Sequence, residues 1–190
     1  MNGRYKKISE EIINKNAWWE YKRDLIELPD GTKSEYYYGE SNGGALTVPI
    51  LDDGRLVLVA QYRYLCDQIS VEFPCGRIDD GEAPQAGAQR ELLEESGYQS
   101  SNFLKVGSFH GSISYVKSPL HVFVADELTQ AGAPEQSARE TTEVIIRRVD
   151  EFEEMIKRGE IMDGSTLSAW ALARGMVLKI CESRKKDRWR

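Results

Sequence analysis

The spacing of apolar residues changes along the chain, and each change marks a different kind of element. Residues 1–17 are polar, with a short apolar patch at Ile8, Ile12 and Ile13, and no regular element is assigned there. Residues 18–28 and 32–39 suit the two strands of a hairpin, joined by the turn residues Leu28-Pro29-Asp30-Gly31. Residues 45–51 and 55–62 are again strand-like about Asp52-Asp53-Gly54, and a short strand over 70–73 runs into Pro74-Cys75-Gly76. After Gly81 the period lengthens. Residues 83–96 carry Ala86, Ala88, Leu92 and Leu93 among strong helix formers, with Gly97 where a helix-ending glycine belongs. Strand character returns over 103–109, 120–126 and 143–149. Asp150, with Glu153 three residues on, reads as a capping box opening a helix that Gly159 ends. A last helix covers residues 166–183, with Leu167, Trp170, Ala171, Val177, Leu178 and Cys181 largely on one face. Strands before, between and after helices predict a mixed α/β (α+β) fold. Residues 1–40 are expected to form an added β-hairpin unit and residues 41–190 the main domain.

Composition narrows the function more than the fold. The 190 residues are 41% hydrophobic and 29% charged, enough apolar material for a real core. Against 31 acidic side chains stand 25 basic ones, a formal charge of −6. No global positive field therefore draws the chain to nucleic acid or anionic lipid. No apolar run approaches the ~18 residues of a membrane span, and Met1 to Lys7 is followed by polar residues rather than the apolar block of a secretory signal. Cys66, Cys75 and Cys181 lie far apart without C-x-x-C spacing. A reduced, cytoplasmic compartment is expected, and cysteine zinc sites are not.

The chemistry concentrates in Gly76-Arg77-Ile78-Asp79-Asp80-Gly81-Glu82 and Arg90-Glu91-Leu92-Leu93-Glu94-Glu95-Ser96-Gly97-Tyr98. On a helix, Glu91, Glu94 and Glu95 project from one side. Three like charges so close disfavour the isolated helix, and Arg90 alone is too little to compensate them. Hard oxygen ligands gathered in this way suit Mg²⁺ or Mn²⁺, which also bind substrate phosphates. Glu82 offers a further carboxylate or a support for Arg90. An E-x-x-E-E run by itself is also what a solvated acidic helix face looks like. The full spacing G-x5-E-x7-R-E-U-x-E-E-x-G-U, with U apolar, decides against that. Its seven fixed residue types match by chance with a frequency on the order of 10⁻⁸ per window.

This spacing is the Nudix box, so the chain resembles the Nudix hydrolases, which cleave nucleoside diphosphates linked to another moiety. The resemblance implies a mixed sheet between helices, with the box as loop, helix and loop. It extends beyond the box. Gln61-Tyr62-Arg63-Tyr64, then Glu72-Phe73-Pro74-Cys75-Gly76, resembles a stretch of the ADP-ribose pyrophosphatases and related nucleotide-sugar hydrolases, as does Gly159-Glu160-Ile161-Met162-Asp163-Gly164-Ser165-Thr166. By that resemblance Glu91 and Glu95 are the main metal ligands, Glu94 supports them, and the backbone carbonyl of Cys75 is a further ligand. Mg²⁺ is the expected cofactor, with Mn²⁺ as a substitute. Arg90 belongs to the catalytic set, and Glu140, with Glu143 second, is the candidate for positioning the water or taking its proton. Arg63 is a candidate for holding a substrate phosphate, Glu72 for a substrate or subunit contact, and Trp18 and Trp19 for stacking on the base.

Each of these residues also has a plain structural alternative: a surface ion pair for Arg63, a small packed hydrophobe for the Cys75 thiol, a solvated loop for Glu140, hairpin packing for the tryptophans. The resemblance further implies hydrolysis of a nucleoside diphosphate sugar to a nucleoside monophosphate and a sugar phosphate. A non-catalytic nucleotide-sugar sensor and a hydrolase of dinucleoside polyphosphates or capped RNA stay open beside it. Where ADP-ribose pyrophosphatases carry a proline after the box, this chain has Ile113 within His110-Gly111-Ser112-Ile113-Ser114-Tyr115. That departure leaves ADP-glucose-like and GDP-mannose-like substrates open. Trp18, Trp19, Tyr21, Tyr36, Tyr37 and Tyr38 exceed what a small hairpin buries, and the related hairpin crosses a dimer interface, so a homodimer is expected.

Overall fold

A computed structural model describes residues 3–136 and 141–187. In chain order the first strands are β1 (Lys6–Lys15), β2 (Glu20–Glu27), β3 (Lys33–Glu40), β4 (Gly44–Pro49) and β5 (Leu56–Arg63). They are followed by β6 (Gln68–Glu72), β7 (Cys75–Arg77) and helix α1 (Pro84–Ser96). Next come β8 (Tyr98–Gln99), β9 (Asn102–His110), β10 (Val116–Lys117), β11 (Pro119–Asp126), β12 (Thr129–Gln130) and β13 (Thr142–Arg147). Helices α2 (Val149–Lys157) and α3 (Gly164–Asp187) close the chain. The mixed α/β expectation holds. The chain divides into two compact units, one made of residues 1–43 and 110–119, the other of residues 44–109 and 120–190.

The larger unit is built on alternation. Leu46, Val48, Leu56, Leu58, Val122 and Val124 of β4, β5 and β11, with Ile50 just after β4, enter one apolar cluster with Phe73, Phe152, Trp170 and Val177. Their neighbours Ala45, Val57, Phe123 and Ala125 enter a second cluster with Ile78, Ala88 and Leu92. Successive strand residues point to opposite faces. One face therefore packs on α2 and α3 and the other on α1, and burial on both sides is why these strands read as nearly continuous apolar runs. The strands form two principal sheets, in the orders β7-β4-β11-β9 and β13-β5-β6. β4 runs parallel to β11 and antiparallel to β7. That pairing carries Cys75 and Gly76 past Leu46 and Ala45, at the edge where α1 packs.

The smaller unit is a sheet in the order β1-β2-β3-β10. The hairpin of β2 and β3 matches the expected pair of strands. β1 was not expected from the sequence: two register shifts against β2, between Lys7 and Ser9 and between Ile12 and Asn14, break the alternation by which a strand is recognised. Every residue of β1 is exposed. Lys22, one of the few buried charges, is held by the carboxylates of Glu40 at 2.7 Å, Glu20 at 3.0 Å and Glu10 at 3.2 Å.

The starts of two helices differ from expectation. The N-cap of α2 is Arg148, not Asp150, and its backbone N–H donates to the Glu151 carboxylate at 2.9 Å. Asp150 instead lies in the first turn, where its charge opposes the positive end of the helix dipole. The last helix starts at Gly164, two residues early, because Asp163 accepts the Thr166 N–H at 2.7 Å and so caps it. No helix among the described residues is long and apolar enough to cross a membrane.

Phe73, Phe152 and Trp170 meet in the larger cluster, Phe152 lying 5.1 Å from Phe73 and 5.2 Å from Trp170 between ring centroids. Phe152→Ala empties the middle of this group and should cost about 3–5 kcal/mol. Thermal melting should show it as a fall of roughly 10 °C in Tm.

Candidate active site

The site begins at the loop before α1. Glu82 folds back on it, its carboxylate accepting the Asp79 N–H at 3.0 Å. Arg90, in the middle of α1, then distributes its whole guanidinium. Nε and Nη2 donate to the two Glu82 oxygens, each at 3.1 Å. Nη1 donates to Glu91 at 2.6 Å and to Glu94 at 3.0 Å, and Nη2 also reaches the Arg77 carbonyl at 2.8 Å. Five N–H groups meet five acceptors, the full capacity of the side chain. Its hydrogen bonds hold the Glu82 carboxyl below the usual range.

The other two-residue edge of the site is backbone. Glu95 Oε2 accepts the Cys75 N–H at 2.8 Å. A Cβ added at Gly76 would stand 2.0 Å from the Glu91 carboxylate carbon, so any side chain there would push the Glu91 carboxylate out of this position. Both carboxylates thus border the same stretch, Cys75-Gly76. Burial pushes the Glu95 carboxyl up to about 8; the Glu91 and Glu72 charges add to this, while the Cys75 N–H and Arg63 oppose it. The Cys75 side chain packs against the larger apolar cluster, and burial raises its thiol pKa.

Arg63 and Glu72, on adjacent strands, form a two-pronged pair. Nε donates to Oε1 at 2.8 Å and Nη2 to Oε2. Glu72 is buried, while the Arg63 side chain stays 44% exposed. The C-terminal end of α1 is tied to β13 by Thr142, whose Oγ1 donates to the Glu95 carbonyl at 2.9 Å. Nothing in the sequence around Thr142 marks that role. Gly97 ends the helix at φ 71°, with the Gly132 carbonyl too close to its Cβ position for any side chain.

The larger unit therefore brings together Arg63, Glu72, Cys75, Glu82, Arg90, Glu91 and Glu95, with Glu94 on the Arg90 side. Glu143 is exposed on β13. Glu140 lies outside the described residues. Trp18 and Trp19 belong to the smaller unit, 54% and 44% exposed, where the Asn16 side chain accepts both their backbone N–H groups at 2.8 Å.

The family model described as the NUDIX domain matches residues 42–169. The chain belongs to the Nudix family. It is 30% identical over 145 residues to an ADP-ribose pyrophosphatase of Bacillus subtilis, covering 76% of this chain and 78% of the relative. It is 32% identical over 150 residues to a methanol dehydrogenase activator of Bacillus methanolicus, covering 77% and 80%. Among solved structures it resembles an ADP compounds hydrolase with a TM-score of 0.80 at 21% identity, over 93% of this chain and 95% of that one. That likeness establishes the Nudix fold.

Nudix hydrolases use a divalent cation, and the residues at this site fit one. Glu91 and Glu95 supply hard oxygens beside the Cys75-Gly76 backbone, and a buried carboxylate next to another leaves negative charge that a cation would neutralise. Among the described residues no three acidic, histidine or cysteine side chains already converge on one point. Arg90 draws Glu91 and Glu94 toward itself.

The raised Glu95 pKa has a stability consequence. Between its ordinary value of 4.5 and about 8 the folded chain holds a proton that the unfolded chain has lost. Metal-free stability from this group is thus present below pH 4.5 and lost as pH rises to about 8. Glu95→Gln should remove that loss. In chelator, its Tm should exceed the parent's by several degrees at pH 8 and match it near pH 5. Equal melting at both pH values would refute the buried, protonated Glu95.

Proposed function

We propose that this Nudix chain is a Mg²⁺-dependent pyrophosphatase of nucleoside diphosphate sugars, ADP-ribose-like in substrate class, releasing a nucleoside monophosphate and a sugar phosphate. The carrying observation is the pair Glu91 and Glu95 set against the Cys75-Gly76 backbone, with the Arg63 charge near enough to act on Glu95. The name of the Bacillus subtilis relative supports the substrate class.

Glu91 and Glu95 would hold the metal, with Glu94 and the Cys75 carbonyl completing its oxygen ligands. When bound, the cation supplies charge neutralisation for the two phosphoryl groups and a more acidic water. Arg63 is aimed by Glu72, and among the described residues its Nη1 makes no hydrogen bond, which leaves a fork edge for a phosphate oxygen. With all five donors engaged, Arg90 serves as a positioning residue that bridges Glu91 and Glu94 and keeps α1 attached to its loop. Glu140 is assigned to the water, and Trp18 and Trp19 to the base.

Purified protein with Mg²⁺ and a panel of ADP-ribose, ADP-glucose and GDP-mannose should cleave at least one between its phosphates. Binding without cleavage of any would overturn the enzymatic reading. Glu95→Gln should lower the rate ~10²–10³-fold, since electrostatic stabilisation of the departing phosphate is usually the largest catalytic contribution. Glu140→Gln should cost only ~10–10²-fold, because positioning of the water is shared with the metal. Equal losses would shift the water's activation to Glu140.

The smaller unit is assigned to a homodimer. β1 is an edge strand exposed along its whole length, with Ile8, Ile12 and Ile13 each more than 40% exposed, and an uncovered edge of that kind calls for a partner. Light scattering at micromolar concentration should give twice the 21.6 kDa chain mass. A monomer mass would remove the dimer.

A further inference from the structure

Thr166 carries no role in the function just described, yet it is fully buried beside the turn that holds the carboxylates. Asp163 takes its backbone N–H at 2.7 Å and fixes the first turn of α3. The Thr166 side chain is left to face the sheet, where Oγ1 accepts the backbone N–H of Phe73 at 3.1 Å, across 93 residues of chain. β6 has ended at Glu72, so this is the partner that Phe73 finds. Pro74 follows, with its φ fixed by the ring and its carbonyl accepting the Thr47 N–H at 2.9 Å. The next N–H, that of Cys75, is the one that holds Glu95 at 2.8 Å. Phe73-Pro74-Cys75 is thus pinned residue by residue, and a shift at Phe73 has no slack before it reaches Cys75 and the Gly76 backbone under Glu91.

We propose that Thr166 is a positioning residue of the divalent-cation site, acting through the Phe73-Cys75 turn to place the Glu95 and Glu91 carboxylates. The inference rests on the reading of Glu91 and Glu95 as the cation's ligands. A merely structural hydrogen bond between α3 and the sheet would lower stability without touching cation affinity, and the two roles separate on that point.

The test measures Mn²⁺ affinity by calorimetric titration, without substrate, for the full-length parent and four variants. Thr166→Val removes the acceptor at nearly constant shape, and Thr166→Ser keeps it. Val177→Ala, buried on α3 with no polar link to the turn, controls for lost stability, and Glu95→Gln tests the ligand itself. Thr166→Val should weaken Mn²⁺ binding ~10-fold, the lower end of the loss seen when support for a metal ligand is removed. Thr166→Ser and Val177→Ala should stay within about twofold of the parent, well short of that loss. Parent-like affinity in Thr166→Val, with affinity lost in Glu95→Gln, overturns the proposal and leaves the ligand reading standing. Parent-like affinity in Glu95→Gln overturns the ligand reading, and the proposal with it. Should Thr166→Val not fold, amide hydrogen exchange of the parent decides: Mg²⁺ should slow exchange at Phe73 and Cys75 together. Slowing at Cys75 alone overturns the coupling.

Discussion

Everything in the larger unit is arranged around the difficulty of holding several carboxylates on one side of a partly buried helix. Left alone, Glu91, Glu94 and Glu95 repel one another and disfavour α1. The structure answers with one guanidinium. Arg90 gives two N–H groups to Glu82 and one each to Glu91, Glu94 and the Arg77 carbonyl, so the acidic side of α1 and the loop before it become one hydrogen-bonded body. A lysine has three donors on a point charge and would leave two of these five hydrogen bonds unmade. Glu95 lies beyond the reach of this arrangement. It meets a backbone N–H instead of a cation, and its burial leaves the electrostatics incomplete. That incompleteness is what a divalent ion would resolve, and perturbed groups of this kind gather where proteins do chemistry.

The carboxylates are useful only if the helix cannot move, and α1 is fixed from several directions. Ala88 and Leu92 bury into the cluster made with Ala45, Val57 and Phe123. Thr47 donates to the Ala88 carbonyl at 3.2 Å, and Thr142 to that of Glu95 at 2.9 Å. At the helix end the backbones of Gly97 and Gly132 approach within reach of a hydrogen bond of 3.2 Å. Side chains mounted on rigid, buried elements keep their geometry better than side chains on loops. The sheet itself contributes through β7, which presents the Cys75-Gly76 backbone to the helix at no cost in side-chain entropy.

The smaller unit follows different physics. Ile26 is its one buried large apolar side chain among the described residues, and its strands are joined by ion pairs, above all the three carboxylates about Lys22. Tyr21 and Tyr37 stack at 6.2 Å, yet both remain more than 40% exposed. Such a sheet has little interior of its own and much apolar area turned outward, a distribution typical of surfaces that meet partners.

Local pattern carried much of this. The change of period after Gly81, the run of helix formers and the Gly97 stop placed α1, and helical geometry alone put three glutamates on one side. The box spacing named the family, and the uninterrupted apolar runs placed β4, β5 and β11. β1 escaped because two bulges destroy the period of two, and the start of α2 was misplaced because Arg148, no usual capping residue, takes the N-cap by way of Glu151. The rest was settled by contacts between residues far apart in sequence. Thr142 meets Glu95 across 47 residues, Thr166 meets Phe73 across 93, and Glu72 becomes buried only when β6 pairs with β5. Periodicity and spacing record which way a side chain faces along its own element. Which element stands opposite, and how much water remains between them, is decided when the sheet closes on its helices, and it is there that Glu95 acquires its pKa and Arg90 its five partners.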